Sequence, residues 1–325
     1  MKNCLALAFI SLLALGYSPY GQGAGSGHFP ERSVRYVVPD SAGSGGDIIG
    51  RIVSAGMSET LGQQVFVDNR AGASSNLGAD YVAKSSPDGY TLLAVSTTLS
   101  ANVNLFKTLT YDLSKDFAAV TQLALTPHVL VVHPAQPVKT VAEFIRLAKA
   151  KPGSLNYSSP GSGTSAFIPA ELFRRAANID IVHIPYKGGG PALQAVLAGE
   201  VQAYFAPILT TLSHIRQGSL RAIALTSAQH LPLMPELTTL AESGFPEVDF
   251  SNSLGLVVPA KTPPEIIDIL NRQATNSLKK PDTKKRINDL GGIIIGSSAT
   301  DYSAFINKEI TTLGELFKKA NVKPD

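Results

Sequence analysis

Hydrophobic positions along the chain fall into two alternating rhythms. Val34-Arg35-Tyr36-Val37-Val38 is a short, apolar-rich run of the kind that makes a buried strand. After the turn Asp40 to Asp47, apolar residues recur in pairs at Ile48/Ile49 and Ile52/Val53, then at Met57 and Leu61. That is helical spacing, and Gly62 is placed to close the helix as a left-handed cap. Val65 to Val67 reads as the next strand. Ala71 to Ser75 is a small-residue loop, and Asn76 is a candidate N-cap for a helix through Lys84. Pro87-Asp88-Gly89 makes a turn before a third strand, Thr91 to Val95. Short connections and right-handed crossovers make this β-α-β-α-β order a parallel, doubly wound sheet.

The rhythm then restarts. Strands are predicted at His128–Val132, Leu155–Ser158, Ile181–Pro185 and Val201–Phe205. Helices are predicted at Val141–Ala150, from the Ser159–Ser165 loop through Ala177, and at Pro191–Leu197. A strand at Leu254–Val258 and two amphipathic helices, over 266–278 and 305–317, complete the pattern. Two α/β units imply a bilobed protein with a cleft. In such sheets ligands bind beyond the carboxyl ends of the strands. Three loops there are rich in Gly and Ser: 40–47, 71–75 and 159–165. A fourth, Tyr186-Lys187-Gly188-Gly189-Gly190, follows the 181–185 strand.

The N-terminus departs from this alternation. Lys2 precedes an apolar run, Leu5 to Leu15, too short to span a bilayer as a helix of about 20 residues. Small residues follow at Gly21 to Gly25. This order predicts a cleaved export signal over 1–25 and hence a periplasmic, soluble mature protein. Cys4, the chain's single cysteine, leaves with it, which excludes disulfides, cysteine-ligated metals and a thiol nucleophile from the rest. Hydrophobic residues make up 44% of the 325, so the chain is not intrinsically disordered. The net charge is only +3 and the basic residues are dispersed, which argues against nucleic acid.

A glycine turn at a helix start presents free backbone N–H groups and the positive end of the helix dipole, an arrangement suited to an anion. Ser44, Ser159, Ser162, Thr164 and Ser165 add hydroxyls. A carboxylate is the natural guest of two such loops facing each other. Gly43-x-Gly45 after a strand also mimics a dinucleotide-binding turn, but Ile48 stands where its third glycine belongs. No G-x-S-x-G or H-E-x-x-H string occurs, and the six histidines lack metal-ligand spacing. An exported hydrolase assembled from distant residues is the alternative to a binding protein. No cofactor or metal is expected.

Longer strings carry a family resemblance. They are Val37-Val38-Pro39 … Gly43 … Asp47, then Asp68-Asn69-Arg70-x-Gly72-Ala73-x-x-Asn76-x-Gly78-Ala79, and Pro87-Asp88-Gly89-Tyr90-Thr91-Leu92-Leu93. Tyr157-Ser158-Ser159-Pro160-Gly161-x-Gly163-Thr164 and Val182-His183-Ile184-Pro185-Tyr186-Lys187-Gly188-Gly189 follow. The chain resembles the Bug family of periplasmic solute receptors of tripartite tricarboxylate transporters. The resemblance implies an α/β type II periplasmic-binding-protein fold, with two doubly wound lobes around a ligand cleft joined by two crossing segments. Lobe 1 is expected at 26–125 plus 252–325 and lobe 2 at 126–251, with crossings near Leu123–Thr126 and Phe250–Ser253.

The same resemblance implies a monomeric receptor, not an enzyme, that captures a small organic carboxylate and delivers it to membrane permease subunits. The ligand is expected between loop 40–47 (Asp40, Ser41, Ala42, Gly43, Ser44, Asp47) and loop 159–165 (Ser159, Gly161, Gly163, Thr164, Ser165). Ser96, Thr97, Phe167, Tyr186, Lys187, Phe205 and Ala206 are the remaining candidates. Asp47 is either an N-cap or an organiser of bridging waters. Asp40 stands where the family is often aromatic or apolar, so it either pairs with a ligand amino group or turns to solvent. Phe167 and Ala206 replace residues that are often His and Asp, which makes the distal pocket more apolar.

Overall fold

The computed structural model describes residues 29–319 and 322; the expected export signal lies outside them. In the first half, β1 (Val34–Val38), α1 (Gly45–Leu61), β2 (Val65–Asn69), α2 (Asn76–Ala83) and β3 (Thr91–Ser96) follow one another as expected. β1 pairs in parallel with both β2 and β3. Flanked on both sides, it buries Val34, Tyr36, Val37 and Val38, and only Arg35 is partly exposed. Gly62 closes α1 with φ at 67°, its N–H donating to Ser58 O. Asn76 is not the N-cap of α2. Ser75 holds that place in a left-handed conformation, and Asn76 Oδ1 instead accepts from Asn102 Nδ2 at 2.8 Å and Tyr111 OH at 2.6 Å.

Two elements then depart from the apolar rhythm. Helix α3 (Thr97–Leu105) was not legible, because Thr97, Thr98, Ser100 and Asn102 are buried on it beside Leu99 and Ala101. Strand β4 (Phe117–Val132) extends eleven residues N-terminal to the expected 128–132 run. Its polar interior is satisfied across the fold: Thr121 Oγ1 donates to Ser297 O at 2.7 Å and Gln122 Nε2 to Ser253 Oγ at 3.0 Å.

The second half brings α4 (Val141–Ala150), β5 (Asn156–Ser159), α5 (Phe167–Ala176), β6 (Val182–Pro185), α6 (Gly189–Leu197) and β7 (Ala203–Pro207). β5 pairs in parallel with β6 and β7. Helix α7 (Ile208–Arg216) and β8 (Arg221–Leu225) follow, then β9 (Ser251–Pro259), α8 (Pro264–Lys279), α9 (Pro281–Asp289), β10 (Ile293–Ile294) and α10 (Ala299–Lys319). The main strand order is β2-β1-β3-β9-β4-β7-β5-β6.

β9 and β4 are the exception to a parallel sheet. β9 runs antiparallel to β3, and the first part of β4, Phe117–Pro127, pairs antiparallel with β9. From His128 onward β4 pairs with β7 and β8 instead. One strand is thus shared by two sheets. Two α/β lobes result, each with a parallel three-stranded unit outermost.

Each lobe has its own core. Ile49, Ile52, Val53 and Met57 of α1 pack with β1 residues and with Leu270, Ala274 and Leu278 of α8. Leu130, Phe144, Phe173 and Phe205 form the second core. Helix α10 bridges two clusters: Tyr302 and Ile306 join a further cluster with Val37 and Leu93, while Leu313 and Phe317 join the second core. Midway along it, Glu309 Oε1 accepts from Thr97 Oγ1 at 2.7 Å, and Thr97 Oγ1 accepts from Ser253 N at 2.9 Å. That chain ties α10, α3 and β9 together where the sheets meet.

Two predictions follow from this packing. A Cβ on Gly56 of α1 would stand 2.9 Å from Ser277 Cβ of α8. Gly56→Ala gains up to about 1 kcal/mol of helix propensity but incurs about 1–3 kcal/mol of overpacking. The variant is expected to unfold at lower urea than the parent, and an unchanged or higher midpoint would contradict this helix contact. Burial pushes the Glu309 carboxyl up to about 7, against the opposing hydrogen bond from Thr97. Its folded pKa is therefore above its unfolded one, so stability is full below about 4.5 and falls as pH rises through 7. Glu309→Gln should remove that slope and raise stability at pH 8 by about 1 kcal/mol, discounted because the residue keeps some contact with water. Urea titrations of both proteins at pH 5 and pH 8 check this.

Candidate functional site

Five helices begin just after parallel or crossing strands and aim their first turns at one place. Ser44, Gly45 and Gly46 open α1; Ser96 and Thr98 open α3; Thr164, Ser165 and Ala166 lead into α5; Gly189 and Gly190 open α6; Pro207 and Thr210 open α7. All line a single small cavity of about 50 Å³, together with Asp40, Pro160, Leu193, Tyr204 and Asn252. At about 10–15 Å³ per water, it has room for roughly four waters, or a guest of comparable size.

The N–H groups of a helix's first turn have no partner within the helix, and each N-terminus carries about half a positive charge. Each is worth roughly 0.3–1 kcal/mol to an anion when exposed and up to about 2 kcal/mol when desolvated. Five together favour an anion, although among the described residues no lysine, arginine or histidine lines the cavity. Ser96, only 6% exposed, has no hydrogen-bond partner for its Oγ among the described residues.

The two lobes meet around this cavity. Ser165 N–H donates to Thr98 Oγ1 at 3.0 Å, and Ser74 Oγ donates to Ser162 O at 2.9 Å. Gly188, with φ at 115°, passes so close to Ser41 that a Cβ would stand 2.6 Å from Ser41 Oγ. The cleft is closed. Outside it lies a groove of about 440 Å³, lined by Ser41, Ala71 to Ser75, Tyr186, Lys187 and Gly188; Asp40, Pro160 and Thr164 border both spaces.

The structure divides the sequence candidates. Asp40, Gly43, Ser44, Ser96, Thr164 and Ser165 line the inner cavity, while Ser41, Tyr186 and Lys187 line the outer groove. Ala42 is exposed and lines neither. Thr97 serves the joint between α3 and β9 described above. Gly161 and Gly163, both at positive φ, shape the facing loop. Gly161 holds Ser159, whose Oγ accepts from Gly161 N at 3.0 Å. Phe205 packs on Phe173, with ring centroids 5.8 Å apart, and Ala206 lies on the other face of β7 in a cluster with Val129 and Val131. Phe167 packs on His183 at 4.9 Å. One residue along β7, on the opposite face from Phe205, Tyr204 reaches the cavity. Strand alternation could have separated these two, but only knowledge of which face met the cleft could choose. Thr98, Thr210 and Asn252 carry no sequence signal, since single polar residues at element ends are common.

Asp47 neither caps with its side chain nor reaches the cavity. Its Oδ2 accepts from Gly43 N at 2.9 Å and from Arg51 Nε at 3.0 Å, and its Oδ1 from Asn69 Nδ2 at 2.9 Å. Ser44 is the N-cap, accepting from Asp47 N at 3.2 Å. Burial alone would raise the Asp47 pKa; Arg51, Gly43 N–H and Asn69 outweigh it and hold the carboxyl below its ordinary value. Asp47 is thus the fixed point that shapes the α1 turn. Asp40 contrasts with it. Burial raises its pKa, opposed by the Ser75 hydrogen bond and reinforced by the negative charge of Asp47.

Ser159 Oγ lies 2.6 Å from His183 Nε2, the geometry of a nucleophile and base. Ser159 is fully buried, however, and Glu171, which could have oriented the imidazole, is committed to Arg174 and Arg175 at 2.7 and 2.5 Å. Among the described residues, no group of three His, Cys, Asp or Glu side chains is placed to hold a metal.

Comparison with known proteins agrees with this geometry. A family model described as tripartite tricarboxylate transporter family receptor matches residues 49–322. Protein BugT of Bordetella pertussis is 32% identical over 297 residues, 91% of each chain. A solved structure of R. palustris Rpa4515 with adipate superposes with a TM-score of 0.89 at 31% identity, covering 91% of this chain and all of that one. MatC from Rhodopseudomonas palustris, with bound malate, gives a TM-score of 0.85 at 30% identity over 89% of this chain and 99% of that one. With two α/β lobes closed on a cavity walled by helix N-termini, and a family match over most of its length, the chain belongs to the Bug-type receptors of the tripartite tricarboxylate transporter family: it is a solute-binding receptor and not an enzyme.

Proposed function

We propose that the chain is a monomeric periplasmic receptor that captures a small organic carboxylate between its lobes and hands it to the permease subunits of a tripartite tricarboxylate-type transporter. The observation that carries this reading is the convergence of five helix N-termini on a cavity that, among the described residues, no cationic side chain lines. A carboxylate there meets backbone N–H groups and the hydroxyls of Ser96, Thr98 and Thr164. The adipate and malate of the similar structures support the same guest class. An export signal at 1–25 would bring the chain to the periplasm, and no described helix is long and apolar enough to cross a membrane.

Capture works by closure in this reading. Residues 26–125 with 252–325 form one moving body and 126–251 the other, hinged where β4 and β9 change neighbours. Loop 40–47 and loop 159–165 bring their donors to the ligand from opposite sides. The ligand stabilises the closed state in proportion to the contacts it adds there and lacks in the open one.

Two measurements test the proposal. The mature chain, refolded to strip carried-over ligand, is heated with mono-, di- and tricarboxylates, amino acids and aromatic acids. A ligand at 100 times its Kd adds about 2.7 kcal/mol, which for a chain of this size is a rise of several degrees. The compound should be recovered unchanged; no rise with any acid, or consumption of the compound, sinks the receptor reading. Gly188→Ala should weaken that ligand at least tenfold in calorimetry, because the added Cβ meets Ser41 only in the closed cleft. Undiminished affinity would show that closure does not bring these loops together.

A further inference from the structure

The cavity that takes a carboxylate also presents one. Among the described residues Asp40 is the only charged side chain lining it, and it stands on the rim shared with the outer groove. Its Oδ1 accepts from Ser75 Oγ at 3.0 Å. Its Oδ2 lies over the first turn of α1, 3.4 Å from where a Gly46 Cβ would be, yet no N–H of that turn donates to it. Among the described residues no cationic side chain pairs with it. Arg51, the nearest candidate by sequence, is held by Asp47 and Asn69. Lys187 lines the outer groove only and is not within ion-pairing distance.

An anion-binding cavity gains nothing from such a residue unless the guest carries a positive group as well. A second ligand carboxylate at this wall would meet Asp40, with Asp47 behind it, and like charges at short range are costly. An ammonium there would find an acceptor oxygen and an opposite charge in a partly desolvated setting, where such hydrogen bonds are strong. Ser96 Oγ, buried, lining the same cavity and without a partner among the described residues, is a second polar group that awaits a ligand atom. The cavity is small and borders the outer groove at Asp40, Pro160 and Thr164, which favours a compact guest.

Resting on the receptor reading, we propose that the ligand is a small zwitterion, an amino acid in the broad sense, whose carboxylate is held by the converging helix N-termini and whose ammonium is held by Asp40. The substitution of a carboxylate at this position selects against plain mono- and dicarboxylates of the same size. Asp40 is a specificity-determining residue that touches the ligand; Ser75 fixes its orientation.

The test is calorimetry on the stripped mature protein with matched compounds. The amino acids are L-alanine, β-alanine and 4-aminobutanoate. Propanoate and butanoate lack the ammonium, and succinate replaces it with a carboxylate. At least one amino acid is expected to bind tenfold or more tighter than its deaminated match and than succinate. Asp40→Asn keeps the shape and an oxygen for Ser75, and it should erase that preference by weakening the amino acid at least tenfold while leaving the plain acids unchanged or improved. Tightest binding by succinate or a plain monocarboxylate, or an Asp40→Asn protein that still prefers the amino acid, overturns the zwitterion while leaving the receptor reading intact. Silence from these six compounds and from the wider acid panel overturns both. The wild-type comparison stands alone should the variant not fold.

Discussion

Five helix N-termini that end on one small space favour something negative between them, and much of this molecule is arranged around that constraint. Each of α1, α3, α5, α6 and α7 starts where a strand ends, so the sheets decide where the helix termini point. Bringing all five to a cavity of about 50 Å³ is possible only if the two parallel units face each other across antiparallel strands. β4 and β9 supply this. They also explain why the anion-favouring cavity needs no lysine or arginine. Fixed backbone dipoles cost no side-chain ordering when the ligand arrives, whereas long cationic side chains must be immobilised.

Two carboxylates seven residues apart illustrate how environment sets role. Asp47 is buried but surrounded by Arg51, Asn69 and the Gly43 N–H, so its charge is satisfied and it serves the shape of the α1 turn. Asp40 has one hydroxyl partner and a like charge nearby, so its charge is left for something outside the protein to satisfy. The chemical groups are the same; the difference lies wholly in what the fold places beside each.

The joint between the lobes is polar where a core would be apolar. Thr97, Asn252, Ser253 and Gln122 hydrogen-bond one another across α3, β9 and β4. Such a network is directional and holds register, while the apolar cores on either side remain separate. Helix α10 crosses the joint with its two ends in different clusters, so a closing motion that bends at β4 and β9 must also be accommodated along that helix.

The linear pattern of this chain determined the two parallel units, the Gly62 cap and the loops that flank the cleft, because each depends on residues near one another in sequence. The family was legible for the same reason, in strings such as Asn69-Arg70-x-Gly72-Ala73 and Pro87-Asp88-Gly89-Tyr90. Tertiary structure alone decided the rest. α3 and the first part of β4 are polar segments buried by partners distant in sequence, such as Ser297 with Thr121, so no local rhythm marks them. Which face of β7 meets the cleft, hence Tyr204 and not Phe205, depends on the sheet's packing. Whether Asp40 faces a ligand or water depends on where loops 71–75 and 159–165 come to rest against it. A sequence lists the charges; only the fold settles which of them is left without an opposite charge.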